Sequence, residues 1–397
     1  MKLMKKLTLI VLCLMSITIA SYSKEGEIVV DISDTALEAV IREEIDKDNG
    51  DIYQSDLDKI AYLSLYETNV KDISSLKNLT KLEVLNLPFT QVENISSLSK
   101  LTYLTYLNLA FTEVSDISAL KNLTKLKTLN LAFTQVKDIS SLNNLTNLTS
   151  LELAKTEISD ISSLKNLTKL KTLDLAFTQV EDISILSKLT YLKSLDISFT
   201  EVCDISSLKN LTKLETLNLT YTQVEDISIL SKLTNLKSLK LAGTKVIDIS
   251  PLKNFTKLTS LDLGDIEISD ISVLGKLTKL TDLYLPSTKG KFDISVLGKL
   301  TNLKDLRLAT AGEDISVLGK LTNLTKLHLS GGNGEEDISI LSKLTKLTDL
   351  YLGYKVSDIS VLNSLTNLKS LTLGPSTNIP QTQIDALKEA NPNITIK

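Results

Sequence analysis

The sequence predicts an α/β solenoid. About fifteen short parallel strands line the concave face of a curved, right-handed horseshoe, and short helical or 3-10 turns form the convex face, with a cap at each end. Three observations carry this prediction. A 22-residue unit recurs along most of the 397-residue chain. Its core, L-x-L, appears fifteen times between Leu63-Leu65 and Leu371-Leu373. An Asp-Ile-Ser triplet keeps the same phase: Asp72, Asp116, Asp138 and so on to Asp270 in register, then Asp293, Asp314, Asp337 and Asp358 with one-residue slips.

In chain order, residues 1–23 read as a secretory signal peptide. Lys2, Lys5 and Lys6 precede a mostly apolar run, Leu7 to Ala20, too short to stay in a bilayer as a span, and small residues follow. Residues 24–60 are expected to form an N-terminal helical cap, 61–376 the repeats and 377–397 a C-terminal cap. Within a unit, both leucines of L-x-L point to one side of a strand and the middle residue to the other. One turn cannot bury seven apolar side chains alone, whereas stacked turns share a continuous core. Asp and Ser of the triplet suit a turn or helix cap. A Thr follows most strands (Thr68, Thr90, Thr112, Thr134), and its hydroxyl is expected to bond the backbone inside the turn.

Composition narrows the function classes. Trp is absent, His328 is the only histidine, and Arg occurs only at Arg42 and Arg307. That inventory offers no histidine metal cluster and little neutral-pH acid/base chemistry. No catalytic residue, metal site or cofactor is expected, and the chain is read as not an enzyme. Without residues 1–23 the net charge is −7, which argues against nucleic acid and anionic membranes as partners. Cys203 is then the only cysteine, and no further membrane segment is expected.

The L-x-x-L-x-L-x-x-T-x-V-x-D-I-S-x-L-x-x-L-T unit resembles the leucine-rich repeat proteins, specifically the 22-residue bacterial type found in internalins. The resemblance spans residues 63–373. It extends to Ser33–Ile45, which looks like the internalin helical cap with Asp34 as its N-cap residue, and to a helix-plus-strand cap near the C-terminus. Internalins usually carry Asn where this chain has Thr. What the resemblance implies is an exported or surface-located bacterial binding scaffold whose partner is a protein, a host or cell-surface receptor. A carbohydrate-binding or structural envelope role is the alternative.

Two columns of residues are candidate contact surfaces. Two positions beyond L-x-L lie Phe89, Phe111, Phe133, Phe177, Phe199 and Tyr221, interrupted by Lys155. Strand spacing would stack these rings into a ladder, either as a stiffening spine or as an exposed docking strip. The second patch is Tyr284, Arg307, His328, Tyr351 and Tyr354, among the less regular repeats. The middle residues of L-x-L are expected on the concave face, among them the acidic trio Glu152, Asp174 and Asp196.

Overall fold

The computed structural model describes residues 27–285, 293–310, 312–331, 337–353, 355–375 and 379–397. The expected signal peptide, residues 286–292 and 332–336, and Tyr354 lie outside the described residues. Sixteen strands form one parallel sheet in strict sequence order, from β1 (Tyr62–Ser64) through β15 (Ser370–Leu373) to β16 (Thr395–Ile396). Equivalent residues of successive units pair, as in Leu63 with Leu85 and Leu85 with Leu107. Most strands are three residues long because only the central leucine of each triplet is core-facing; Leu85, Leu107 and Leu129 are fully buried.

Each strand leads into a turn that returns across the convex face as a 3-10 helix, such as Ser74–Asn78 or Ser118–Asn122. The Asp of the triplet opens it. The Ser118 amide donates to Asp116 Oδ1 at 2.8 Å, and the same bond recurs from Ser140 to Asp138 at 2.7 Å and from Ser206 to Asp204 at 2.8 Å. The Thr after the strand is buried, and its hydroxyl donates to the carbonyl three residues back: Thr90 to Leu87 at 2.8 Å, Thr112 to Leu109 at 2.6 Å. The threonine therefore closes its own turn.

Both ends of the core are covered. At the N-terminus, α1 (Thr35–Glu44) places Leu37 and Ile41 in the core. Asp34 caps α1 by accepting from the Ala36 and Leu37 amides at 2.9 and 3.0 Å. Its other oxygen accepts from the Lys71 and Asp72 amides, which ties the helix to the first repeat. A short α2 (Gln54–Leu57) buries Leu57 beside it. At the other end, α3 (Gln381–Ala390) packs Leu387 onto the last turn, and β16 pairs with β15. Among the described residues no helix is long and apolar enough to cross a membrane.

Candidate functional site

The aromatic column is a ladder, and it is open to solvent. Phe89 stacks on Phe111 with ring centroids 4.3 Å apart, and Phe111 on Phe133 at 4.1 Å. Phe177 stacks on Phe199 at 4.1 Å, and Phe199 meets Tyr221 at 4.9 Å with the planes tilted by 31°. Tyr66 adds an edge-on contact to Phe89 at the N-terminal end. The rings nonetheless remain between 41% and 51% exposed. Lys155 fills the break, its ammonium 5.2 Å from the Phe133 ring centre.

The backbone beneath the ladder is left-handed. Phe89, Phe111, Phe133, Lys155, Phe177, Phe199 and Tyr221 all have φ between +51° and +59°. Side chains other than Gly and Asn rarely adopt this conformation, at a cost of roughly 1–2 kcal/mol. Sequence reasoning found the column but not this strain, because the usual marker, a recurrent Gly or Asn, is missing. The ladder ends at Gly243, where φ is +65° and a Cβ would lie 2.4 Å from the Tyr221 ring. Tyr221 lies over that glycine and donates from its hydroxyl to Asp265 Oδ2 at 2.8 Å. This bond pushes the phenol's pKa up.

The second patch is separate from the ladder and sits on the concave face. Tyr284, Arg307, His328 and Tyr351 occupy paired positions on four successive strands: β11 (Asp282–Leu285), β12 (Asp305–Thr310), β13 (Lys326–Gly331) and β14 (Asp349–Leu352). His328 stacks on Tyr351 at 3.9 Å, and the Arg307 guanidinium lies 5.9 Å from the Tyr284 ring centre. Burial, aided by Arg307, lowers the His328 pKa, favouring the neutral ring at pH 7. A shallow concavity of about 270 Å³ opens here, lined also by Asp305, Lys326 and Asp349. Sequence reasoning missed these three. They stand two residues before the column it followed, and the period-2 rule puts them on the same face.

The acidic trio has an internal arrangement. Asn130 Nδ2 donates to Glu152 Oε2 at 2.5 Å and Asn218 Nδ2 to Asp196 Oδ2 at 2.8 Å, so the outer two carboxylates are clamped by amides. Asp174 between them accepts from the Ala176 amide at 2.9 Å. Burial, with Asp196 and Glu152 alongside, raises its pKa. Cys203 is exposed, in the connection between β7 (Ser194–Asp196) and the following 3-10 helix. Among the described residues no group of three or more His, Cys, Asp or Glu is placed to hold a metal ion.

Comparison with known proteins places this geometry. A family model described as a leucine-rich repeat region matches residues 59–285. An internalin (inlF) of Listeria monocytogenes is 35% identical, with a TM-score of 0.69 over 85% of this chain and 94% of that one. A leucine-rich repeat protein of Leptospira interrogans shares the fold at 21% identity, with a TM-score of 0.73 over 87% of this chain and 97% of that one. The Arabidopsis receptor kinase HAESA, solved in complex with the peptide hormone IDA and the co-receptor SERK1, shares the fold at 23% identity and a TM-score of 0.65, over 84% of this chain and 61% of that one. A comparison with curated protein sequences returns no match. The 22-residue turns, the one parallel sheet and the match to inlF lead to one assignment: the chain belongs to the leucine-rich repeat proteins and is internalin-like.

Proposed function

We propose that this protein is an exported, non-enzymatic scaffold that binds a protein partner, a receptor or surface protein, through its concave face and the aromatic edge beside it. The observation that carries the reading is the ladder of half-exposed rings held on strained backbone. Exposed aromatic strips on soluble proteins mark contact surfaces, and aromatic residues are favoured anchors there. The internalin relative and the peptide-bound plant receptor agree with a scaffold of this kind. Tyr284, Arg307, His328 and Tyr351 supply a second, polar contact region.

A protein partner suits the ladder better than a sugar. Sugar rings pack on aromatic faces, and within each stack those faces are covered by the neighbouring phenyl rings. What remains free is a row of ring edges, which suits apolar protein side chains.

The test is a pull-down from host-cell and bacterial-envelope extracts. The parent chain is compared with a variant carrying Phe89, Phe111, Phe133, Phe177 and Phe199 changed to Ser, with folding checked by circular dichroism. The expected result is a partner captured by the parent and lost by the folded variant. A partner equally retained by the variant overturns the ladder as the docking strip and moves the assignment to the Tyr284–Tyr351 patch.

A further inference from the structure

Each turn crosses the concave face as a strand and returns across the convex face as a 3-10 helix, so the solenoid has two flanks. Charge is divided between them. Over the first ten turns the connections from helix end to strand, 77–83 through 275–281, hold 19 lysines and only two acids, Glu83 and Glu215. The connections leaving the strands, 67–72 through 265–270, hold 18 carboxylates and four lysines. The overall negative charge conceals this separation.

One lysine in most turns has a local explanation. Lys77, Lys121 and Lys165 stand in the last turn of a 3-10 helix, where a cation complements the carbonyls. A second column does not. Lys81, Lys125, Lys169, Lys213 and Lys257 recur every second turn, roughly 10 Å apart at strand spacing. All are exposed.

Neutral neighbours hold several of these lysines in place. Lys125 lies 3.6 Å from the Tyr103 ring centre and Lys213 lies 3.5 Å from that of Tyr191. Lys169 and Lys257 donate to Asn147 and Asn235 side-chain oxygens, each at 2.7 Å. Such partners fix an ammonium without cancelling its charge. Among the described residues the ion pairs of this flank are Lys193 and Lys237 with the same Glu215, at 3.0 and 2.6 Å. Hydrogen bonds from Lys237 and Lys193 bring Glu215 down to about 2, consistent with a strongly positive setting.

We propose that this lysine flank docks a linear sulfated polysaccharide. A row of evenly spaced point charges matches a polymer that carries anionic groups at intervals and needs no pocket. The connections contain no arginine, whose fork suits phosphate and guanine. The Tyr103 and Tyr191 rings carry lysines over their faces, which takes away the free stacking platform that single-stranded nucleic acid uses. None of the exposed large aliphatic side chains lies on this flank, and its exposed rings, Tyr103 and Tyr191, sit beneath lysines, which leaves little to insert into a bilayer.

The experiment uses the full chain with heparin as the probe, in a salt series, beside duplex DNA and vesicles containing phosphatidylserine. The variant K125E/K169E/K213E reverses the flank. K71E/K137E/K245E makes the same change in net charge on the opposite flank. The expected result is heparin binding at about 0.15 M salt, at least roughly tenfold weaker in the first variant and within twofold of the parent in the second. No heparin binding, an equal loss in both variants, or tighter binding to DNA or vesicles than to heparin overturns the proposal.

Discussion

The residue that most needs explaining is the phenylalanine after each strand. At φ near +55° its backbone costs roughly 1–2 kcal/mol. A stacked ring pair contributes about 0.5–1.5 kcal/mol, and Phe111 has a neighbour on each side. The two effects are of similar size, so the ladder offsets the strain of its own turns. This account predicts an inversion of the usual order at position 111. Phe111→Gly and Phe111→Ala both lose the stack, but only Ala keeps the strain, so the glycine variant should be more stable by about 1 kcal/mol in urea unfolding. An alanine variant as stable as the glycine variant contradicts it. Gly243→Ala is the complementary case: strained backbone and a clash with Tyr221 should together cost about 1–3 kcal/mol, with loss of the Tyr221–Asp265 bond.

At the scale of one turn, the Asp-Ile-Ser triplet sets the pH dependence. Hydrogen bonds from the serine amide two residues on, and then from its hydroxyl, lower the pKa of Asp116, Asp226 and Asp314 in the folded chain. A carboxylate depressed on folding adds stability at pH above its unfolded value near 4, and that stability is lost as pH falls through the folded value. Because the lowered carboxylate recurs at several triplets, the urea midpoint is expected to fall below about pH 4, modestly since these groups are solvent-exposed. Asp174 has the opposite sign. Its folded pKa is raised by burial beside Asp196 and Glu152, so its charge opposes folding at neutral pH. Asp174→Asn should raise the urea midpoint at pH 7, a gain that fades as pH falls through the carboxylate range and is gone well below pH 4, where the carboxyl is neutral in both states. The triplet and the Thr column were legible in the sequence because each is a local side-chain-to-backbone bond repeated in register. The Asn130 and Asn218 clamps on the trio were half legible: the 22-residue period sets each amide beside its carboxylate, but it does not fix that the two side chains bond.

Across the whole molecule, one leucine core runs from α1 to α3, and its two ends are covered by structure outside the repeats. The solenoid was legible because a strict period forces equivalent residues into contact, and Leu63, Leu85 and Leu107 pair as that period requires. The C-terminal patch was half legible. Arg307, His328 and Tyr351 followed from the repeat phase, whereas Asp305, Lys326 and Asp349 were passed over by tracking a single column. The division of charge between the flanks was invisible to a net charge, which sums over both sides. The central claim is that the ladder is self-stacked yet open to a partner, and the absence of tryptophan makes this directly measurable. Phe133→Trp in the full chain places a single indole in the ladder. The account predicts emission typical of an indole in water, strongly quenched by iodide, in a protein that unfolds cooperatively. Blue-shifted emission that iodide does not reach would mean that another segment or a second copy covers the ladder, and the ladder would then not be a free docking strip.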